Sequence, residues 1–451
     1  MPILLQWLSS NPAPSDRHAP AFRMPGRLLY AVNHSLPFSF NGYAVRTHGV
    51  ARALAKAGVV VIAATRPGVP WDRAEFANPD YPLQHRIDGV RYVHMPQPSE
   101  RNLPLPVYLA QAAETLEQLM RVFKPSAVMA ASNWRNALPA ALAARELGLP
   151  FFYEVRGFWE ISHASRDLAW AKTDAFQQEV EHETAVATSA ERIFTLNRFM
   201  RDELVRRGVA RERIDLVPNG FPGWAEPHRV TGVSRADLGI ESRFVVGYIG
   251  SFNGYEGLED LIEAAALARQ RGVDVSVLLV GSSALMGLGA STNAGCAASA
   301  LYRELAQRLG IAEFLFLPGR VAPEQAADYY ALLDLVVIPR RPFAVCEMVS
   351  PMKPVEAASH GKRVLMSDVA PLTELAAFCS NFSYFEKGNV ASLADKLVDL
   401  LAADSPAPAC CHALEALTWE KNVAPIVAAV EQVSRNLQES ALAGRRPIVI
   451  D

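Results

Sequence analysis

Short apolar runs alternate with helix-length stretches of mixed polarity along the whole chain. In the first half the apolar runs are RLLYAVNH (27–34), GVVVIAAT (58–65), SAVMAAS (126–132), LPFFYEVRG (149–157), RIFTLN (192–197) and IDLVPNG (214–220). They are apolar throughout rather than alternating, and a helix pattern follows each. That combination predicts parallel strands covered on both faces. AVRTHGVARALAKAG (44–58) is such a helix and ends on Gly58, where a C-terminal stop belongs.

After the Gly- and Pro-bearing stretch NGFPGWAEPHRVTG (219–232) the pattern restarts with RFVVGYIGS (243–251), VSVLLVG (275–281), EFLFLPG (313–319), LDLVVIPR (333–340), KRVLMSD (362–368) and FSYF (382–385). The chain therefore predicts two doubly wound α/β domains, N-terminal over 26–220 and C-terminal over 241–418, joined by a linker at 221–240. A loose Pro-rich leader is expected over 1–25. A C-terminal stretch, 419–451, carries a helix (420–444) expected to pack back across the first domain. The Gly-, Ala- and Ser-rich segment 282–300 reads as a surface insertion. Ligands of open α/β sheets bind at the carboxyl ends of the strands, so the expected site is a cleft between two facing sets of strand ends.

Composition narrows the function. At 451 residues the chain exceeds what one core usually serves. No run approaches the ~18 apolar residues of a membrane span. MPILLQWLSS lacks the basic opening of a secretory signal. A net charge of −3 argues against bulk nucleic-acid binding. The first 220 residues carry a slight basic excess, which leaves peripheral attachment to an anionic membrane face open beside simple scatter. Five cysteines without metal-ligand spacing suggest a cytoplasmic protein. Cys410-Cys411 is either a reactive vicinal pair or two buried small residues.

The densest chemistry lies in PRRPFAVCEMVSPMKPVEAASHG (339–361). A buried strand delivers Pro339, Arg340 and Arg341 at its carboxyl end. Ser350-Pro351 reads as an N-cap followed by proline at the first helical position, with Lys353 and Glu356 on the helix and Gly361 closing it. Free amides, a lysine and arginines suit a phosphate. A carboxylate such as Glu356 suits a ribose diol. The competing reading is a set of caps and solvated ion pairs.

These residues resemble the C-terminal nucleotide-sugar site of retaining glycosyltransferases of the GT-B fold, family 4. The resemblance runs from about residue 27 to 435. NGYAVRTHGVARALAKAGVVVIAAT is similar to the family's Gly-rich loop and first helix, and LPFFYEVRG to the strand ending near the donor sugar. ERIFTLNRFMRDELVRRGVARERIDLVPNGF is similar to the closing strand, helix and Asn-Gly step, and VVGYIGSFNGYEGLEDLIEAAALA to the opening of the donor domain. FLPGRVAPEQAADYYALLDLVVIPR and VSPMKPVEAASHGKRVLMSDVAPLTEL complete it. The resemblance implies a GT-B fold of two Rossmann-like domains. It also implies transfer of a sugar from a nucleoside-diphosphate sugar to a hydroxyl of a glycan or lipid-linked acceptor, in polysaccharide or cell-surface glycan synthesis.

The departures shape the expected site. Most of the family has two glutamates separated by seven residues; Glu356 takes the second place, but the first falls on Met348, with Glu347 one residue early. The usual Arg and Lys after the strand that opens the donor domain are here Ser251 and Glu256, and a usual histidine is Arg156. A bacterial polysaccharide branch shows similar PR…VSPxKPxEA wording, and there the basic grip moves to Arg340 or Arg341 and Lys353. The implied assignments are Lys353, Arg340 and Arg156 as catalytic residues, and Glu356, Ser350, Pro351, Arg341, Gly250, Ser251 and Gly42 as donor-binding residues. No metal or cofactor beyond the donor is expected.

Arg156 has a second reading, as a bridge to Glu154 or Glu160. Glu347 reads as a loop carboxylate in solvent. Trp134 and Arg135 read equally as acceptor-side wall or as capping and packing residues. His48, His163 and His360 read as packed or exposed rather than as bases. Two further functions stay open on sequence: a nucleotide-sugar epimerase of the same architecture, and a non-catalytic nucleotide-sugar-binding protein. A dinucleotide-dependent dehydrogenase is disfavoured, since no G-x-G-x-x-G follows a predicted strand.

Overall fold

A computed structural model describes residues 23–73, 76, 80–223, 232–282, 297–402 and 412–443. The leader to residue 22, the centre of the linker (224–231), most of the 282–300 segment, and Cys296, Cys410 and Cys411 lie outside the described residues. The chain divides into two units: residues up to Pro218 together with those from Trp419 on, and Asn219–Thr418.

The first unit is built on an eight-stranded sheet ordered β3-β4-β2-β1-β5-β6-β7-β8. Its strands are β1 (Arg27–Val32), β2 (Val60–Thr65), β3 (Gln84–Ile87), β4 (Val90–Val93), β5 (Ala127–Ala131), β6 (Phe151–Val155), β7 (Arg192–Thr195) and β8 (Ile214–Leu216). Each long apolar run of the sequence forms one of them. β5 and β6 are buried at every position, as parallel strands between helix layers must be. The helix Gly42–Lys56 follows β1 and packs Val50, Ala51 and Leu54 into the core. Trp419, Val423, Ile426 and Val430 join that same core.

The sequence reading overlooked β3 and β4, the single antiparallel pair of this sheet. Asp88 and Gly89 both take positive φ (48° and 81°) between Ile87 and Val90, which face each other across the pair. Asp-Gly is the favoured two-residue hairpin turn because its twist matches that of the strands. Polar residues dominate β3, so the apolar-run criterion passed over it.

The second unit has a six-stranded parallel sheet ordered β11-β10-β9-β12-β13-β14. Its strands are β9 (Phe244–Ile249), β10 (Val275–Val280), β11 (Leu315–Gly319), β12 (Leu335–Ile338), β13 (Arg363–Ser367) and β14 (Phe382–Phe385). Strand order reverses between β9 and β12, which pair through Leu335 with Val246 and Val336 with Gly247. A ligand crevice opens beyond the carboxyl ends of strands at such a switch point. Among the described residues no helix is long and apolar enough to cross a membrane. Cys346 is a buried free thiol and Cys379 is disulfide-bonded, the latter a departure from the expectation of a reducing compartment.

Candidate functional site

At the switch point of the second unit, β9 leads into Gly250 and Ser251, and β12 into Pro339 and Arg340. Two glycines let these segments approach. Gly257 has φ +72°, and a Cβ there would stand 2.0 Å from the Pro339 carbonyl oxygen. Gly250 has φ +151°, and a Cβ there would stand 2.3 Å from Cε of Lys353. Both conformations favour glycine, and both positions lack room for a side chain.

Arg340 turns into the protein. Its Nη2 and Nε donate to the two carboxylate oxygens of Glu256, at 2.9 and 3.2 Å, and its Nη1 donates to the Val349 carbonyl at 2.9 Å. The pair is buried, with side-chain exposures of 8% and 2%. Lys353 completes the cluster: its Nζ lies 3.9 Å from Glu256 Oε1 and over the Tyr248 ring, 5.0 Å from its centroid. Burial opposes ionisation of Glu256, but Arg340 and then Lys353 outweigh it and hold the carboxyl below its usual range. Two cations thus face one carboxylate, leaving a net positive charge beside Gly250.

Glu356 is one turn along the helix Lys353–Ser359 from Lys353. The residue is partly exposed, and its carboxylate has no hydrogen-bond partner among the described residues. Burial pushes its pKa up, with Lys353 pulling partly against that. The helix itself starts later than the sequence suggested. Met352 is the residue at its N-terminus, without a side-chain cap, and Pro354 is the proline of the first turn. Proline fits there because no N–H is needed. Ser350 and Pro351 therefore precede the helix rather than cap it, and the Ser350 carbonyl instead accepts from Asn219 Nδ2 at 2.8 Å. Ser251 is exposed, and its carbonyl accepts from the Tyr248 hydroxyl at 3.2 Å.

The two arginines part company. Arg341 turns to the helix Leu258–Gln270, giving Asp260 a forked pair of bonds at 3.0 and 2.6 Å with Glu259 at 3.5 Å. Those carboxylates raise its pKa, the Asp260 hydrogen bond most, and it is engaged with them rather than with Lys353.

Arg156, in the first unit, takes the second of its two sequence readings. Nε and Nη2 donate to Glu154 Oε2 at 2.9 and 2.8 Å, Nη1 to the Tyr43 carbonyl and Thr47 Oγ1 at 3.0 and 2.9 Å, and Nη2 also to the Tyr30 hydroxyl. A guanidinium has five N–H groups, and each here has an acceptor. That saturation favours the bridge reading of Arg156 over a role in binding the donor. Gly42, also in the first unit, opens the helix Gly42–Lys56 behind the Asn41 cap, with no heavy atom within 4 Å of where a Cβ would stand.

Residues 41–220 match the family model for the glycosyl transferase 4-like domain, and residues 243–403 that for glycosyl transferases group 1. The chain belongs to the group 1 glycosyltransferases. It is 26% identical over 309 residues to D-inositol 3-phosphate glycosyltransferase 1 of Catenulispora acidiphila, covering 67% of this chain and 68% of that one. Two solved structures show the same GT-B fold. Sucrose-phosphate synthase from Thermosynechococcus elongatus superposes with a TM-score of 0.68 at 17% identity, over 92% of this chain and 100% of the other. Anabaena HepE in complex with UDP-glucose superposes at 0.60 and 17% identity, over 92% and 99%.

Elsewhere in the glycosyltransferase the open readings resolve toward structure. Trp134 is buried, its amide donating to Glu183 at 2.9 Å and its indole to Glu179 at 2.6 Å, while Arg135 bridges Glu100 and Glu179. His48 joins Tyr92 to Asp88, His163 stacks on Trp170, and His360 on Tyr330. Glu347 is not loose in solvent: it accepts from the Ala370 amide at 3.0 Å and pairs with Lys387 at 2.5 Å. The residues that sequence reasoning missed are Glu256 and Tyr248. The available signal was a glutamate standing where the family has a lysine, in a chain whose basic residues had moved to the opposite strand end.

Proposed function

We propose that the glycosyltransferase moves a sugar from a nucleoside-diphosphate sugar to a hydroxyl of a glycan or lipid-linked acceptor, with retention of anomeric configuration, in polysaccharide or cell-surface glycan synthesis. One observation carries this reading: Lys353, laid against Gly250 at the switch point, has among the described residues one ion partner within 4.0 Å, Glu256 at 3.9 Å. Its ammonium, with the two N–H groups of Arg340 that Glu256 and Val349 leave over, supplies positive charge where a diphosphate leaving group develops negative charge. Glu256 positions both cations from behind. Glu356, whose carboxylate has no hydrogen-bond partner among the described residues, accepts from the ribose hydroxyls. Family membership and the UDP-glucose complex of HepE support a nucleotide-sugar donor. We propose further that these groups suffice without a metal ion.

The test is a thermal-shift panel of UDP, GDP, ADP and dTDP sugars, since a ligand that binds the folded state raises its melting midpoint by mass action. One base series is expected to stabilise the protein, and the effective donor to release nucleoside diphosphate only with a hydroxyl acceptor, unaffected by EDTA. NMR of the product would show the donor's anomeric configuration. Stabilisation by none of the four series would overturn the donor assignment, and an inverted product the stereochemical one.

A further inference from the structure

Lys353 stands farther from its counter-ion than the carboxylate requires. Its Nζ lies 3.9 Å from Glu256 Oε1, beyond hydrogen-bond range, and its side chain is 20% exposed. Among the described residues Glu256 accepts two bonds from Arg340, at 2.9 and 3.2 Å, and one from the Tyr248 hydroxyl. A carboxylate offers about four acceptor sites, so a direct bond to Lys353 is still open to it. An ammonium on a flexible four-carbon stem takes such a site unless another group holds it.

Tyr248 is that other group. It is the penultimate residue of β9, fully buried, and shares a core with Val246, Leu258 and Leu261. The Lys353 ammonium lies over its ring, 5.0 Å from the centroid. A Cβ on Gly250 would stand 2.3 Å from Lys353 Cε and 3.4 Å from Tyr248 Cε1, so backbone, lysine stem and ring are packed together. The Tyr248 hydroxyl is shared between Glu256 and the Ser251 carbonyl, at 3.2 Å from the latter, which fixes the ring in place. Burial and then Glu256 push the phenol far above its ordinary range, against Arg340, so the ring stays neutral. The face of a neutral aromatic ring is negative and attracts a cation within about 6 Å, more strongly where water is excluded.

We propose that Tyr248 is a positioning residue: its ring face draws the Lys353 ammonium off Glu256 and holds it beside Gly250, available to the diphosphate of the donor. The proposal rests on the reading that Lys353 meets a nucleoside diphosphate, and it names what keeps that lysine from closing onto its own counter-ion. A packing role alone needs the shape of the ring. The positioning role needs its charge distribution.

Calorimetry on the full chain with UDP, GDP, ADP and dTDP, each beside its own nucleoside, tests it. The ratio of the two affinities within a base series isolates the diphosphate, because damage to the fold weakens nucleoside and nucleotide together. Tyr248→Phe keeps the ring and should change that ratio by less than about twofold. A ring-fluorinated phenylalanine at the same position keeps the shape but depletes the negative face, and should lower the ratio about fivefold; Tyr248→Leu should lower it about tenfold. On a Lys353→Ala background neither change should lower it further. The fluorinated ring matches phenylalanine closely in shape, so that comparison stands even if Tyr248→Leu fails to fold. A ratio equal in the two phenylalanine variants, a loss already complete in Tyr248→Phe, or a loss that persists in full without Lys353 would each overturn the proposal. If no base series binds, the donor reading itself falls and this proposal with it. A ratio that depends on Lys353 but not on the ring leaves the donor reading standing and removes only the role of Tyr248.

Discussion

Arg156 in the first unit and Arg340 in the second both follow a parallel strand and both meet a buried glutamate, yet they are left with different freedom. Around Arg156, a second cation, Arg46, closes the other side of Glu154 at 2.9 Å and donates onward to the Val217 carbonyl. Glu154 stays ionised because Arg156 and Arg46 together outweigh its burial. Around Arg340 the second cation is Lys353, whose Nζ lies 3.9 Å from Glu256 Oε1, beyond hydrogen-bond range, and faces a glycine. A saturated guanidinium fastens strands to a helix. An under-committed ammonium beside a backbone gap is free to turn to a ligand. Sequence alone ranked the two arginines together because both end strands; what separates them is how many of their donors the fold consumes.

The comparison breaks most sharply on stability. Arg156→Ala removes one of the two cations that face a fully buried carboxylate, so a loss of ~3–5 kcal/mol is expected from denaturant unfolding. A variant as stable as the wild type but defective in transfer would return Arg156 to the active site. The second cluster predicts the reverse pattern. Lys353→Ala should lower kcat/KM for transfer by about 10²–10³-fold, the usual scale for one group stabilising a developing oxyanion, with little change in melting midpoint. Near-normal transfer would sink the assignment of Lys353.

Gly250 sharpens this by steric means. A methyl group there enters the space of the Lys353 side chain, so Gly250→Ala should lower transfer about tenfold by displacing the ammonium. Combined with Lys353→Ala it should add little, because both changes act on one contact. Full additivity in the double-mutant cycle would mean that Gly250 acts elsewhere.

Much of this architecture was legible in the sequence because buried parallel strands announce themselves as unbroken apolar runs. LVVI at 335–338 and FSYF at 382–385 are strands in the structure as read. The β3–β4 hairpin was not, because its signal is a turn, Asp88-Gly89, rather than an apolar run. The strand end at Arg340 and the helix bearing Lys353 and Glu356 were legible as a charged site. Which arginine turned inward was not, since that depends on Glu256, 84 residues away in the chain. Ser350 was misjudged as a cap because Ser-Pro and Lys-Pro both fit a helix start, and only the backbone decides between Pro351 and Pro354.

The smallest expected effect concerns Glu356 and pH. Burial raises its pKa in the folded protein above that of the unfolded chain, despite Lys353. A raised carboxyl favours the protonated folded form, so its contribution to stability is complete below the unfolded pKa and is lost as pH rises through the folded one. Donor binding runs the other way. A ribose diol donates two hydrogen bonds, which the ionised carboxylate accepts more strongly than the neutral acid by ~1 kcal/mol, roughly fivefold in affinity. Between pH 4.5 and 8, melting midpoints of the free protein should therefore drift down by this contribution while donor affinity climbs. Glu356→Gln, neutral throughout, should flatten both trends together. Comparing wild type and variant cancels the other titrating groups. Loss of the affinity trend alone would keep Glu356 on the ribose and remove burial as the cause of its shift, whereas persistence of the affinity trend in the variant would place the ribose contact on another residue.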